Sequence, residues 1–209
     1  MQPDLKLLLA RHGHAEANRP WTFLGRTDSP LSARGQAQSE ALAAALAQVE
    51  INAVYTSPLQ RAWQTADVIA APHGLRPIAD GRLIEQDFGA WEGLSLEEVK
   101  AQYAGDVAAW QQDALRYGPT EGENLDQLAA RVSGFCDDVR QLHAAATVLV
   151  VAHGAVLNTL LCCLLNTPLS WLWSYRLDTG AVAEVELHGE RATLTRLQQV
   201  ISADYNELK

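Results

Sequence analysis

Continuous apolar runs of strand length mark the beginning of the chain and its last third. Leu5–Ala10 and Thr147–Ala152 consist almost entirely of Leu, Val and Ala, and Ala53–Thr56 and Arg76–Ala79 are shorter runs. A strand that helices cover on both faces has such a run instead of an apolar and polar alternation. The pattern therefore predicts buried central strands of a mostly parallel sheet.

Helical segments fill most of the space between these strands. Apolar periodicity and good helix formers predict helices over Gln36–Val49, Leu59–Ala71 and Val156–Leu165. Ser32 is the expected N-cap of the first helix. Asn124 and Gln127 have the spacing of a capping box for a further helix that runs to about Ala144.

Three further strand-like segments follow near the C-terminus: Ser174–Leu177, Ala181–Leu187 and Thr193–Leu197. Their short spacing around Gly180 and Gly189 predicts at least one antiparallel pairing. Alternating strands and helices indicate an α/β fold, a three-layer αβα arrangement with a mostly parallel central sheet that carries an antiparallel strand. We expect one domain over residues 1–209, with an irregular helical excursion at about 86–123.

Composition narrows the class of protein. The chain has 209 residues, 48% of them hydrophobic and 20% charged, which is typical of a globular domain. No apolar run reaches about 18 residues, so no membrane span is expected, and the N-terminus lacks the pattern of a signal peptide. A net charge of -9 argues against a nucleic-acid partner, whose binding surface would be basic.

The cysteines give no sign of a disulfide framework or a metal site. Cys162 and Cys163 are neighbours and cannot easily bridge each other, and Cys136 stands apart from them without zinc-type spacing. We expect buried thiols in a cytoplasmic protein that binds no metal.

Two histidines stand at the carboxyl ends of the two long predicted strands. His12 lies within Arg11-His12-Gly13, and His153 lies within Ala152-His153-Gly154. Neighbouring parallel strands end at the same edge of a sheet, so the two rings are expected to lie close together. A histidine there can be a nucleophile, a metal ligand or a general base. Arg11 adds a planar group that suits carboxylate or phosphate.

Two further segments bring charged groups toward the same edge. Arg61 falls in the first turn of the helix that follows Ser57-Pro58, and Glu85 precedes a turn rich in Gly and Trp. Two arginines, two histidines and a carboxylate suit phosphoryl transfer, because fixed positive groups stabilise the charge on the phosphoryl oxygens. Asp87 and Glu92 are alternative carboxylates for the role of Glu85.

These four segments, in this order and spacing, resemble the histidine phosphatase superfamily, also called the phosphoglycerate-mutase-like family, over Leu7 to about Asn158. The resemblance implies hydrolysis of a small-molecule phosphomonoester through a phosphohistidine intermediate, without a cofactor. It implies that His12 is the nucleophile and that Glu85 is the general acid and later the general base. The remaining residues would hold the phosphoryl group and substrate: Arg11, Arg61, His153, Asn18, Gly25 and Gly154.

The physical chemistry of these groups agrees with the implied roles. A neutral imidazole is a competent nucleophile near pH 7 when a backbone carbonyl fixes its other nitrogen. Two guanidinium groups and an imidazolium would neutralise a phosphate without a metal ion. Burial would raise the pKa of Glu85 and the nearby arginines would lower it. With a bound dianion favouring the protonated carboxyl, we expect activity to be highest on the acidic side.

The phosphatase branches are favoured over two alternatives. A cofactor-dependent phosphoglycerate mutase needs basic groups for its substrate, yet Lys100 and Arg116 are the only ones within residues 86–123. The Phe88–Gly93 turn resembles the α-ribazole phosphatase-like and broad-specificity enzymes. A non-catalytic phospho-ligand binding module would be expected to have lost one of the histidines or arginines, and all are present.

Specificity is expected to come from residues 13–32 and 86–123. Leu24 stands where many relatives have a polar residue, which predicts a more apolar wall, and Trp21 is a candidate to line the pocket. Glu123 is expected either near the pocket mouth or in an ordinary helix N-terminus. The apolar Leu169–Leu177 segment is expected either in the core or in a homodimer contact.

Overall fold

The structure is a computed structural model that describes residues 3–199. Its sheet contains six strands: β1 (Leu5–Arg11), β2 (Ala53–Thr56), β3 (Ile78–Ala79), β4 (Ala146–Ala152), β5 (Ala181–His188) and β6 (Arg191–Gln199). The strand order is β3-β2-β4-β1-β5-β6. The first four run parallel, β5 is antiparallel to both of its neighbours, and β6 therefore runs with β1. This confirms a mostly parallel sheet that carries an antiparallel strand.

Between residues 3 and 199 the chain forms six α-helices: α1 (Ala33–Leu46), α2 (Gln60–Ala70), α3 (Leu96–Gln102), α4 (Ala104–Gln112), α5 (Leu125–Leu142) and α6 (Gly154–Leu165). Successive β1 side chains point to opposite faces of the sheet. Leu7 and Leu9 join the apolar core of α5 and α6, whereas Leu8 joins that of α1 and α2. Helices thus cover both faces, as the continuous apolar strands predict.

The capping predictions hold, while several boundaries shift. The Ser32 hydroxyl accepts from the Gly35 N–H, so α1 begins at Ala33 and not at Gln36. Asn124 and Gln127 form the predicted capping box of α5. Helix α6 begins at Gly154, two residues earlier than predicted, which brings its N-terminus directly against the end of β4.

The predicted strand over Ser174–Leu177 is wrong. A 3-10 helix spans Leu169–Ser174, and the chain then continues without regular structure until β5. Strand β1 already pairs with β4 and β5, and the Leu177 carbonyl instead accepts a hydrogen bond from the Arg11 side chain at 2.7 Å. Within Leu169–Leu177, Leu172 is buried while Trp171 and Trp173 are exposed, so a homodimer contact stays a prediction.

The 86–123 excursion forms a small apolar cluster of its own. A 3-10 helix over Gly89–Trp91 is followed by α3 and α4, and the cluster packs Phe88, Trp91, Val99 and Val107 together. Phe23, from the long loop after β1, packs against this cluster. Residues 13–32 and 86–123 therefore form one continuous wall above the sheet edge. That residues 1–209 form one domain stays a prediction.

The cysteines are free thiols; Cys136 and Cys162 are buried and Cys163 is half-buried. Between residues 3 and 199, no helix combines the length and apolar character that crossing a bilayer requires.

Candidate active site

The register between β1 and β4 brings the two predicted histidines together. Arg11 lies opposite Ala152 in this parallel pair, so His12 and His153 both leave the sheet at the same edge. The His12 N–H donates to the Ala152 carbonyl at 3.0 Å and extends the ladder by one bond. The two ring centroids are 5.0 Å apart, and both rings are buried.

The orientation of the His12 ring is fixed by its own loop. Nδ1 lies 2.7 Å from the Gly13 carbonyl oxygen, which can only accept, so Nδ1 carries the proton and Nε2 keeps its lone pair. Burial, followed by the positive charges of Arg61 and Arg11, holds the pKa of His12 well below its usual value. The ring is therefore a neutral imidazole with a nucleophilic Nε2.

His153 has a different set of contacts. Its Nε2 lies 2.7 Å from the buried Ser57 hydroxyl, while its Nδ1 is buried with no hydrogen-bond partner in the described part of the chain. Burial, with the charges of His12 and Arg61 adding to it, lowers the pKa of His153 well below its usual value. When only the protein's own groups surround it, His153 is therefore a neutral imidazole and not the imidazolium expected from the sequence. A phosphate dianion in hydrogen-bond contact would raise its pKa again.

The two arginines are held by main-chain carbonyl groups. Arg61 is 0% exposed, and its terminal nitrogens donate to the carbonyls of Thr27 and Gly25 at 2.8 and 2.7 Å. Arg11 donates to Leu177 and lies flat against Gly154, where a Cβ would come within 3.3 Å of its Cζ. Both Nε atoms lack a partner among residues 3–199. Arg11 lines the cavity and retains N–H groups for an anion, whereas the fully buried Arg61 is not among the lining residues, so its contact with the phosphoryl group stays a prediction.

Glu85 is a buried carboxyl group beside this positive charge. Its Oε1 accepts from the Gln86 N–H at 2.8 Å, and its Oε2 accepts from the Ala155 N–H at 3.4 Å. Burial raises the pKa of Glu85 above the ordinary value, although these hydrogen bonds and the charges of Arg11 and Arg61 oppose the rise. This carboxyl group can carry a proton in a pH range in which ordinary glutamates are ionised.

Arg131 holds the main chain that carries Glu85. It donates to the carbonyls of Arg82 and Glu85 at 2.6 and 3.2 Å. The Glu123 carboxylate receives the Arg131 Nε at 2.7 Å and a terminal nitrogen at 2.8 Å, a bidentate ion pair. Glu123 directly precedes the N-cap Asn124, so it lies at the N-terminus of α5, which is one of the two expectations, and its ion pair with Arg131 was not expected. Sequence reasoning missed Arg131, which lies two turns farther along helix α5.

Glu92 supports the loop that holds Arg61. Its carboxylate accepts from the main-chain N–H groups of Gly25, Arg26 and Thr27 at 2.9–3.3 Å. The carbonyl groups of Gly25 and Thr27 in turn accept from Arg61. Gly25 thus holds Arg61 and is not among the cavity-lining residues, so its substrate contact stays a prediction.

The other alternative carboxylate, Asp87, has a partner elsewhere. It forms an ion pair with Arg26 at 2.9 Å, and its side chain also accepts from the Gly89 N–H. Of the three carboxylates, Glu85 is the one that interacts electrostatically with both Arg11 and Arg61, and its role in proton transfer stays a prediction.

We expect Glu92→Gln to lower kcat/KM by about 10- to 100-fold, because charge-assisted hydrogen bonds of about 1.5–3 kcal/mol to the loop are weakened and Arg61 loses its fixed position. Steady-state kinetics on any accepted monoester measures this change. The exposed Glu97, on helix α3, supplies the matched control, and Glu97→Gln should keep the wild-type kcat/KM. Unchanged kinetics in Glu92→Gln would show that Arg61 does not depend on this loop.

Asn18 and Gly154 complete the predicted anion contacts. The Asn18 Oδ1 accepts from the Ala15 N–H at 2.8 Å, which leaves its side-chain NH2 group as a donor. Gly154 is the first residue of α6, and such first-turn N–H groups have no partner within their helix and attract anions. Both residues line the same cavity as Arg11, His12 and Glu85.

This cavity has a volume of about 660 Å³ and extends from His12 beneath the 86–123 excursion. Trp21 and Leu24 from the long loop both line it, as the sequence analysis expects. Its wall also includes Asn158, a buried residue of α6 whose Oδ1 has no hydrogen-bond partner between residues 3 and 199. Asn158 was missed, although a polar residue one helical turn after Gly154 in an apolar helix could have indicated it. Ser57 was missed as well, although its position directly after β2 could have indicated that it lies at the same edge of the sheet as the two histidines.

Among residues 3–199, no group of three or more His, Cys, Asp or Glu side chains is arranged to hold a metal ion.

Comparisons with known proteins agree with this geometry. The family model described as histidine phosphatase superfamily (branch 1) matches residues 7–200. Phosphoserine phosphatase 1 of Hydrogenobacter thermophilus is 34% identical over 193 residues, 92% of each chain. Adenosylcobalamin/alpha-ribazole phosphatase of Escherichia coli is 30% identical and covers 91% of this chain and 94% of its own length.

A solved structure shows the same likeness in three dimensions. The alpha-ribazole phosphatase from Shigella flexneri superposes with a TM-score of 0.84 at 30% identity, covering 93% of this chain and 96% of that one. The family match spans both histidines, Arg61 and Glu85. The chain therefore belongs to branch 1 of the histidine phosphatase superfamily and is a phosphatase.

Proposed function

We propose that the chain hydrolyses a small phosphomonoester in two steps through a phosphohistidine at His12. The observation that carries this proposal is the neutral His12 ring, whose Nδ1 is tied to the Gly13 carbonyl and whose Nε2 is a free nucleophile. In the first step, Nε2 attacks phosphorus and the bond to the ester oxygen breaks. Glu85 gives its proton to the departing alkoxide, so the alcohol leaves neutral.

The second step returns the enzyme to its starting state. Water attacks the phosphorus of phosphohistidine, Glu85 accepts a proton from that water, and the bond between Nε2 and phosphorus breaks. Inorganic phosphate leaves, and His12 is again neutral with its proton on Nδ1. Glu85 therefore serves as acid and then as base, which requires a pKa close to the working pH.

The phosphoryl oxygens are bound by the positive and N–H groups around His12. The guanidinium groups of Arg11 and Arg61 meet the charge that spreads over these oxygens in the transition state. The side-chain NH2 group of Asn18 and the N–H of Gly154 are neutral donors to the same oxygens. His153 becomes a donor once the dianion raises its pKa. Arg11, Asn18 and Gly154 line the cavity in the folded protein, which lowers the reorganisation that reaction requires, whereas Arg61 and His153 are fully buried and are not lining residues.

Hydrolysis is favoured over mutase chemistry by the charges of the cavity. A mutase must bind a second anionic group while the phosphoryl group is transferred. Apart from Arg11, Arg176 is the only Arg or Lys among the described residues that line the cavity, and it is exposed and paired with Asp178. The cavity thus offers no buried cation for a second anion.

Trapping the phosphoenzyme tests the proposal. Rapid acid-free quenching during turnover of a labelled monoester should leave phosphate on His12 that is acid-labile and alkali-stable, located by mass spectrometry. Turnover without any such species contradicts the proposed route. A 3-phosphoglycerate assay with added 2,3-bisphosphoglycerate should release inorganic phosphate and form no 2-phosphoglycerate, whereas 2-phosphoglycerate formation would favour the mutase.

A further inference from the structure

We propose that the preferred substrate is a phosphomonoester of an alcohol with an uncharged aromatic group. This inference rests on the proposed function and assigns the leaving-group part of the same site. It follows from two properties of the 660 Å³ cavity beside His12: aromatic lining and balanced charge.

Seven aromatic side chains line the cavity beyond the phosphoryl site: Trp21, Phe23, Phe88, Trp91, Trp110, Trp173 and Tyr175. The inner four pack against one another, with centroid distances of 5.0 Å for Phe23–Phe88, 5.4 Å for Phe23–Trp91 and 5.7 Å for Trp91–Trp110. These tilted and edge-on contacts fix the rings in place. The cavity is therefore preformed and cannot close by collapse of its wall.

Two tryptophans of this wall are exposed to solvent. Trp21 is 90% exposed and Trp173 is 60% exposed, although large apolar side chains gain free energy from burial. Trp21 also has a φ of +61°, a conformation that non-glycine residues rarely adopt and that costs energy. Exposed aromatic rings held at a cavity mouth at such a cost are typical of a binding surface for a flat apolar group.

Charged groups in the cavity wall are balanced outside the phosphoryl site. Of the described lining residues beyond Arg11, His12 and Glu85, only Arg176 and Asp178 carry charge, and they pair at 3.2 Å. An additional carboxylate on the leaving group would lose hydration without gaining a buried cation. Phosphoserine, the substrate for which one relative is named, carries a carboxylate and an ammonium group, and beyond the phosphoryl site this wall offers a buried counter-charge to neither, so we expect it to be a poor substrate.

Three monoesters of primary alcohols test the charge and aromatic parts, since their leaving groups have similar reactivity: 2-(indol-3-yl)ethyl phosphate, ethyl phosphate and O-phospho-L-serine. We expect kcat/KM for the indolylethyl ester to exceed the other two by at least about tenfold, because apolar contacts discriminate by about that factor for each small group. If phosphoserine is turned over as fast as the indolylethyl ester or faster, this inference is wrong, whereas the proposed function still stands. Absence of both turnover and phosphoenzyme with all three contradicts the proposed function.

Two neighbouring tryptophans provide a matched pair of variants. Trp173→Ala should lower the ratio of kcat/KM for indolylethyl over ethyl phosphate by about fivefold, as expected for the loss of one aromatic contact. Trp171 lies on the same 3-10 helix, is 56% exposed and does not line the cavity. Trp171→Ala should keep both wild-type kcat/KM values. An equal ratio in wild type and Trp173→Ala would show that Trp173 does not contact the aromatic group of the substrate.

Discussion

We expect His12→Ala to abolish turnover and phosphoenzyme formation while the protein stays folded. The variant lacks the Nε2 atom that accepts the phosphoryl group, and Arg11 and Arg61 by themselves provide no nucleophile. Loss of a central catalytic group costs about ten-thousandfold or more in kcat. The His12 side chain makes one hydrogen bond, to the neighbouring Gly13 carbonyl. Its removal should cost about 1–3 kcal/mol of folding free energy, which a domain of this size tolerates.

His14 provides the matched control for this experiment. It lies in the same loop, its Nδ1 is 2.9 Å from the Ser32 hydroxyl, and it is not a cavity-lining residue. His14→Ala should form phosphoenzyme and hydrolyse substrate as wild type does. Phosphate trapped on a folded His12→Ala protein would show that another residue is the nucleophile. Circular dichroism and the melting temperature check that both variants are folded.

Glu85→Gln should lower kcat by about 100- to 10,000-fold for esters of ordinary alcohols, the contribution typical of a general acid. Glutamine keeps the shape of the side chain but cannot deliver a proton to the leaving oxygen. The loss should be much smaller in the phosphorylation step with 4-nitrophenyl phosphate, because 4-nitrophenolate leaves without protonation. An equal loss for both kinds of ester would assign Glu85 a structural role and not proton transfer.

The pH profile gives an independent measure of the same group. Burial raises the pKa of Glu85, and the acid acts only while protonated, so kcat/KM should fall as pH rises through that raised pKa. His12 must be neutral, and its pKa is far below the usual value, so protonation of the nucleophile limits the rate only at low pH. Activity should therefore be highest on the acidic side. A profile that is flat from about pH 5 to 9 would contradict this assignment.

Substrate charge should shift that profile in a defined direction. A bound phosphate dianion repels the ionised form of Glu85 and raises its pKa further. The pH dependence of kcat reports the enzyme–substrate complex, and that of kcat/KM reports the free enzyme. The decrease of kcat at alkaline pH should therefore occur at a higher pH than the decrease of kcat/KM. Glu85→Gln should remove the alkaline fall from both profiles.

Local sequence patterns were sufficient for the fold and for the position of the two histidines. The apolar runs that became β1 and β4 required burial on both faces, and the edge of a parallel sheet is shared by all its carboxyl ends. His12 and His153 each follow such a run directly, so their proximity depended only on β1 and β4 being neighbours. The capping box at Asn124 is equally local, and it was predicted correctly.

The supports of the site could not be predicted in this way. Glu92 binds N–H groups of a loop 65–67 residues earlier in the chain, and Arg131 donates to carbonyl groups 46 and 49 residues away. Every residue type has similar main-chain N–H and carbonyl groups, so the sequence does not show which of them a side chain will bind. For this reason neither the Glu92 contacts nor the Arg131 contacts could be predicted. The strand predicted at Ser174–Leu177 failed for a related reason, because a tertiary contact between Leu177 and Arg11 stands where sheet pairing was expected.

The sequence by itself determined the layered fold, the histidine pair and the charged groups for phosphoryl transfer, because each depends on short patterns and on the shared edge of a parallel sheet. Only the tertiary structure decided the protonation of that site and the shape of the neighbouring cavity. Burial sets the pKa shifts of His12 and Glu85, and the aromatic wall combines residues from loops far apart in the chain. Burial and long-range packing arise only when the whole chain has folded.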